Sequence, residues 1–444
     1  MRDTKRVTKR LTLATVAVGF LLFGRAGSAT PPNHCAPGAL DASLGRCACP
    51  AGYSATAAGS PRCVPDFHPP GAPPSTSVGH VEQISLGTDF SCARLSDGTV
   101  KCWGASDHGQ VADGMTGGFV PPGHPNDRHQ PMLIRGLSHV TQIAVGGHHA
   151  CALLADGTAK CWGENAEGQL GDGTTQWRLA PTPVVALDHV VQLAAGYRHT
   201  CARLESGTIK CWGYNLYGQV GDGTTTDATR PALVPNLTNV AQVAAGSLHT
   251  CVRMSDATVR CWGSNQAGQL GDGTVATAAE EQGRCGAGPR TPTSCPPVPH
   301  PVPTPVPGLA NVVELALGSG PSVSSCARLT DGTVSCWGAW SATNVPVSLG
   351  GVVGAGGSSG SLTPTPMTGV TSAASVAVGP AHACARLANG TVTCWGNNTF
   401  GQLGDGTVSS RPTPARVPIL TGVTQVAAGG LHTCAVMAGG SLSC

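Results

Sequence analysis

Cys151-Ala-Leu-Leu-Ala-Asp-Gly-Thr-Ala-Lys-Cys161, followed by Trp162-Gly163, decides the fold. The same spacing returns as Cys92 and Cys102, Cys201 and Cys211, Cys251 and Cys261, Cys326 and Cys336, Cys384 and Cys394, and Cys434 and Cys444, seven pairs each ten residues apart. The midpoints are Asp97, Asp156, Ser206, Asp256, Asp331, Asn389 and Gly439, and Gly follows in all but one, where Ala257 stands. A three-residue hairpin loop, a type I turn plus one left-handed residue, wants Gly at its third position. With Ser96-Asp97-Gly98 as that loop, Leu95 and Thr99 close the ladder and Cys92 faces Cys102 in the closer, non-hydrogen-bonded kind of pair. That separation suits a disulfide. Buried free thiols are the alternative. Zinc fits worse, because ten-residue Cys spacing without usable His partners is not a ligand pattern.

Outward from the hairpins, the Cys-Trp-Gly triplets recur at intervals of 59, 50, 50, 75 and 58 residues. A unit of about 50 residues is the signature of a propeller or array. The stretch 181–230 shows its parts: strand a at Thr182–Leu187, b at Val190–Ala195, c at His199–Leu204 and d at Thr208–Trp212. Asp-Gly and Gly punctuate the turns, β-branched residues fill the strands, and no useful length has helical periodicity.

Strings such as Cys161-Trp-Gly-Glu-Asn165-Ala-Glu-Gly168-Gln169-Leu-Gly171-Asp172-Gly173-Thr174, with Ala144-Val-Gly-Gly-His-His149 upstream, resemble the regulator of chromosome condensation repeat family. Cys394–Thr407 repeats the pattern, and the resemblance covers residues 80–444. It implies an all-β, seven-bladed β-propeller of four-stranded blades. Two places depart from the pattern. The run is lost after Cys336, and the approach to Cys326 is altered.

Before the repeats, Arg2, Lys5, Arg6, Lys9 and Arg10 precede an apolar run, Leu11–Phe23, and the small residues Ala26-Gly-Ser-Ala29. This reads as a signal peptide, residues 1–29, for a secreted, periplasmic or cell-surface protein. No later stretch would span a membrane. Cleavage removes six basic residues and one acid and turns the net charge from +2 to −3, without the basic footprint of a nucleic-acid binder. Residues 30–70 hold Cys35, Cys47, Cys49 and Cys63. Within them Cys47-Ala-Cys49-Pro-Ala-Gly52-Tyr53 resembles the second half of an epidermal-growth-factor-like module; a disulfide-stapled stalk is the alternative, and the four Cys leave three pairings open. The propeller then occupies 71–444.

Strand b is crowded with Gly and Ala, as in Val243–Gly246, and belongs at the narrow centre, giving the order b, c, d, a outward. The chain stops at the seventh strand d, so Pro73–Val78 is expected to supply the last outer strand and lock the ring. Parity places the c–d turns and a–b links at one end. The b–c loops and d–a links share the other, with all long insertions: Asp113–Gln130, Val275–Pro303 and Ala339–Pro364. Cys285 and Cys295 are read as a disulfide pinning the second of these, which ends in a polyproline-like run, Pro297–Pro305.

Candidate chemistry is sparse. His149, His199, His249, His382 and His432 recur two residues before a Cys, but one per blade around a ring reads as a hydrogen-bonded structural position, and Phe90 replaces it in the first repeat. The triplet Trp residues read as packing anchors on the face opposite the disulfides. The Gly-Asp-Gly-Thr runs bring one carboxylate each, too few for calcium. Gly356-Gly-Ser358-Ser-Gly360 has no following helix to make a nucleophile turn. No catalytic residue, cofactor or metal is expected, nor a nucleic-acid partner, and the chain is expected to be a monomer. Insertions gathered on one face mark a binding face. Aromatic residues outside the repeat pattern gather there too: Phe119, Trp177, Tyr197, Tyr214, Tyr217, Trp340 and Phe400. The expectation is therefore an extracellular or surface protein partner, held by Trp177, Tyr197, Tyr214, Tyr217 and Trp340. The alternatives are guanine-nucleotide exchange, which the resemblance implies and export opposes, and a glycan-active extracellular enzyme.

Overall fold

The computed structural model describes residues 80–114, 128–275, 298–318, 324–338 and 361–444, besides four short strands near the start. The chain divides into two compact units, Met1–Ala72 and Pro73–Cys444. In the first, Leu40–Asp41 pairs with Arg46–Cys47, and Tyr53–Ala55 with Cys63–Pro65. The expected export segment, the closing segment Pro73–Val78, the pair Cys285 and Cys295, and Phe119 and Trp340 lie outside the described residues.

The second unit is a seven-bladed β-propeller, six blades of four antiparallel strands and a seventh with three described strands. In the third blade the order from the axis is Val190–Ala195, His199–Leu204, Ile209–Gly213 and Ala228–Leu233. The small-residue strand is innermost, and each innermost strand contacts those of its two neighbours. A ring of glycines at the inner strand ends explains this choice of residues. A Cβ on Gly196 would lie 2.4 Å from the Gly246 carbonyl oxygen and 2.4 Å from the His199 ring, so neither neighbour leaves room for a methyl group.

The outermost strand departs from expectation. It is Arg178–Pro183, several residues before the anticipated Thr182–Leu187. Ala186 and His189 take φ of 51° and 52°, left-handed values that no strand accommodates, while Val184 and Leu187 are buried beneath the link. Pro181 and Pro183 are tolerated because this strand is the blade edge. The polyproline-like run is corrected for the same reason. His300–Pro305 is the edge strand of the fourth blade, with Thr304 opposite Cys261.

The hairpins form as the turn chemistry requires. Leu95 N donates to Thr99 O at 2.9 Å, Gly98 takes φ 73°, and Cys92 stands opposite Cys102. Ala257 adopts the same left-handed conformation, φ 66°, without being Gly. All seven hairpin pairs are disulfides with Cα atoms 4.0–4.1 Å apart. Cys201 and Cys211 are the closest, at 4.0 Å. This is the close spacing of a non-hydrogen-bonded pair, the kind that a cross-strand disulfide uses. On its other side Cys211 faces Ala232 of the edge strand, and the register then shifts before Gly213, which faces Ala228. Only a short ladder therefore holds the outer strand, whereas Cys211 ties its own strand covalently to the inner pair.

The core is divided into layers between blades. In five of them the disulfide of one blade packs against the buried Trp of the next: Cys92 and Cys102 with Trp162, Cys151 and Cys161 with Trp212, Cys201 and Cys211 with Trp262, Cys251 and Cys261 with Trp337, and Cys326 and Cys336 with Trp395. The two side chains leave opposite faces of their own strands, so each of the first six blades offers sulfur to one neighbour and indole to the other.

Hydrogen bonds then tie blade to blade. At the turn end, the residue after each hairpin midpoint accepts from the first strand residue of the next blade. Val140 N donates to Gly98 O at 3.1 Å, and Val81 N donates to Gly440 O at 3.1 Å across the closure. Gln192 bridges to Val243 by both its amide donor, 3.1 Å, and its acceptor, 3.0 Å. Gln425 does the same to Ile84, so the seventh blade joins the first as any other pair.

Candidate interaction face

The b–c loops and d–a links share the end opposite the Asp-Gly turns, as parity requires. In four links the run that starts at Asn165, Asn215, Asn265 or Asn398 folds into a knot held by its own side chains. Asn165 Nδ2 donates to Asp172 Oδ1 at 3.2 Å, and Leu170 N donates to Asn165 Oδ1 at 2.9 Å. Thr174 N and Oγ1 both donate to Asp172 Oδ1, and Arg178 holds the other oxygen at 2.6 Å. The carboxylate is thus committed to protein donors, which is why the run is a turn. The knot also reaches the next blade: Gln169 O accepts from Trp212 Nε1 at 2.9 Å and from Thr200 Oγ1 at 2.8 Å.

The recurring histidines are structural. His149 Nε2 shares a hydrogen bond with Thr200 Oγ1 of the next blade at 2.8 Å, and His199 with Thr250, His249 with Ser325, His382 with Thr433 and His432 with Ser91 do likewise. The two exceptions agree. Where the next blade offers only a methyl group, at Ala150 and Ala383, Phe90 and Ser324 replace the His. Burial pushes His149, His199, His249 and His382 down to about 3 and His148 to about 4, from 6.5. These groups stay neutral in the fold and charge when it opens, so their stabilisation is full above pH 6.5 and is lost as pH falls through the window down to their folded values. We expect unfolding free energy, measured by urea titration, to fall steeply between pH 6.5 and 4. Each histidine contributes on the order of 1 kcal/mol per pH unit, and His199→Asn should make the slope shallower. An unchanged slope in that variant would refute the linkage.

Over this scaffold lies a continuous run of rings from neighbouring blades. Trp177 is 43% exposed, and its ring is 4.7 Å from that of His108. His108 stacks on His148 at 4.8 Å, and His148 meets Tyr197 edge-on at 5.7 Å. Arg198 lies 5.6 Å from the Tyr197 ring centre and pairs with Glu167 at 2.8 Å and Glu164 at 3.6 Å. Tyr214 and Tyr217 form a further edge-on pair at 6.3 Å. Burial first, then the charges of His108 and Arg198, keeps His148 neutral, and burial lowers His108 as well. Burial raises the phenols of Tyr197, Tyr214 and Tyr217. At neutral pH the run is therefore uncharged up to Arg198 and its two carboxylates.

Four of the five anticipated partner-binding residues, Trp177, Tyr197, Tyr214 and Tyr217, fall at this end; Trp340 is outside the described residues. The two histidines that connect Trp177 to Tyr197 were not anticipated. His148 occupies the position of Arg198 in its own loop, and Gly147 that of Tyr197. A Cβ on Gly147 would lie 2.7 Å from the Tyr197 ring, so the small residue is what lets the next blade's tyrosine lie over the loop. That pairing of Gly with a ring one repeat later was the available signal.

Among the described residues no cluster of His, Cys, Asp and Glu is placed to hold a metal, and no helix is long and apolar enough to cross a membrane.

The RCC1-like domain pattern matches residues 44–372, and regulator of chromosome condensation (RCC1) repeats match 373–402 and 389–436. The E3 ubiquitin-protein ligase HERC2 of Homo sapiens is 36% identical over 104 residues, 22% of this chain and 2% of that protein. The mitochondrial RCC1 domain-containing protein RUG3 of Arabidopsis thaliana is 31% identical over 105 residues, 23% of this chain and 22% of that protein. The chain thus spans only a small part of these relatives. The crystal structure of Kap60 bound to yeast RCC1 (Prp20) aligns with TM-score 0.62 and 22% identity over 79% of this chain and 78% of that one. Human WBSCR16 aligns with TM-score 0.62 and 20% identity over 83% and 89%.

Proposed function

The chain belongs to the RCC1-like domain family, and from that membership we propose that it is a secreted or cell-surface binding scaffold whose loop-rich end captures an extracellular or surface protein. The observation that carries this reading is the ring run from Trp177 through His108 and His148 to Tyr197, with Arg198 at its edge. Tyr, Trp and Arg are the residues that dominate protein-binding hot spots, since each covers much area with few freely rotating bonds. Phe400, 68% exposed, and Leu431, 48% exposed, add apolar surface at the same end. The opposite end is occupied by turns already spent on tying blades together. Seven hairpin disulfides fit an oxidising compartment, which supports export.

The proposal is tested by presenting the immobilised protein with secreted and surface proteins and, in parallel, with a glycan array. Saturable capture of a defined protein supports it. Binding to glycans alone would replace it with a carbohydrate-directed reading.

A further inference from the structure

The other end of the ring carries a feature that the binding reading does not use. Around the axis an Arg stands at the same place in five blades, at Arg94, Arg203, Arg253, Arg328 and Arg386, each opposite the third residue of the inner strand. An open cavity of ≈ 400 Å³ is lined there by Gln192, Arg203, Gln242, Arg253, Glu314 and Arg328, among others. Two of the five cations are neutralised, Arg94 by Glu82 at 2.6 Å and Arg328 by Glu314 at 2.7 Å. The charge of Arg386 also reaches Glu314.

Arg203 and Arg253 have no such relief. No carboxylate among the described residues pairs with either, and the Nε of each is buried without a hydrogen-bond partner. The nearby amides are committed, Gln192 to Val243 and Gln242 to Leu315, each by both donor and acceptor. The two cations also repel. Burial and the charge of Arg253 together hold the Arg203 guanidinium below its ordinary value. Two neighbouring guanidinium groups with unused donors, facing one cavity, form a site that an anion would complete. A tetrahedral oxyanion fits better than a single carboxylate, because it carries up to two charges and enough oxygens to accept from both forks.

We propose that this cavity, near the end of the ring that carries the Asp-Gly turns, binds a small phosphate- or sulfate-type oxyanion between Arg203 and Arg253. This site is distinct from the loop-rich face and stands or falls independently of it.

The test is calorimetric titration of the full chain with inorganic phosphate, inorganic sulfate and phenyl phosphate, with chloride holding ionic strength constant. Saturable binding is expected, weakened about tenfold or more in R203Q/R253Q and unchanged in R416Q, on an outer strand. Because two lost charges also alter the fold's electrostatics, R203K/R253K serves as the second variant: it keeps the charge without the planar fork and should bind at intermediate strength. Competition by phenyl phosphate as strong as by the free ion assigns the site to phosphate esters, whereas preference for the inorganic ions assigns it to free anions. Absence of saturable binding, or equal binding by R203Q/R253Q and the unaltered chain, would overturn the proposal.

Discussion

Replacing Trp212 by Ala is expected to lower the unfolding free energy by about 3–5 kcal/mol, the usual cost of deleting a large buried aromatic side chain. Trp212 is fully buried in the layer between the second and third blades, among Leu170, Val184, Leu193 and the bridged Cys151 and Cys161. A cavity there would open two blades at once. The contribution of its hydrogen bond can be separated from that of its volume, because the fold supplies its own control. Trp162, Trp212, Trp262 and Trp337 all donate to the Gln carbonyl of the preceding link, as Trp212 does to Gln169 O at 2.9 Å. Trp395 is equally buried, yet its Nε1 has no partner among the described residues. The link before it is the one in which the Asn…Gly-Gln-Leu-Gly run is missing after Cys336. Trp212→Phe should therefore cost about 1 kcal/mol more than Trp395→Phe, the net worth of one buried hydrogen bond. Urea unfolding of the two variants checks this, and equal losses would mean that the carbonyl contributes nothing.

The second large effect concerns binding. Tyr197, Tyr214 and Tyr217, replaced together by Ala, should weaken partner capture by about 100-fold or more, as expected when clustered aromatic anchors are removed. The three rings are each half-buried, so they are already ordered before a partner arrives, and Tyr197 is held by Gly147 beneath it and His148 beside it. None belongs to the buried layers between blades. Melting temperature should consequently fall by only a few degrees, on the order expected for partly exposed side chains. Capture that survives the triple change would place the partner elsewhere. A collapse of melting temperature would show that the rings serve the fold.

Much of this architecture was legible because the repeat states it seven times. The hairpin, its disulfide, the innermost strand Val190–Ala195, its neighbour His199–Leu204 and the order outward from the axis all follow from period-two patterning, turn chemistry and ring crowding. The outer strand differs from the expectation because Arg178–Pro183 is an edge strand with two prolines and no alternation of buried and exposed residues, whereas Val184–Leu187, which is apolar, is a link that buries Val184 and Leu187. The histidine ladder was legible as structural, but its rule was not, since the partner of each His sits one repeat later. The ring run on the loop-rich face was only half visible for the same reason. Trp177, Tyr197, Tyr214 and Tyr217 stood out by falling outside the repeat. His108 and His148 became meaningful only when three successive blades were placed side by side. The cationic cavity is not legible in the sequence, because the Arg two residues after the first Cys of five hairpins reads as ordinary alternation within its own strand. Only the ring brings Arg203 and Arg253 together without an acid between them.

The central claim is that the loop-rich end is the binding face and the Asp-Gly turns are structural. Hydrogen exchange of backbone amides, followed with and without a captured protein, tests it most directly. Protection gained at residues 146–149, 196–199 and 214–218, with none gained at the turns 96–98, 156–158 and 206–208, is the predicted result. Protection confined to the turns would contradict it.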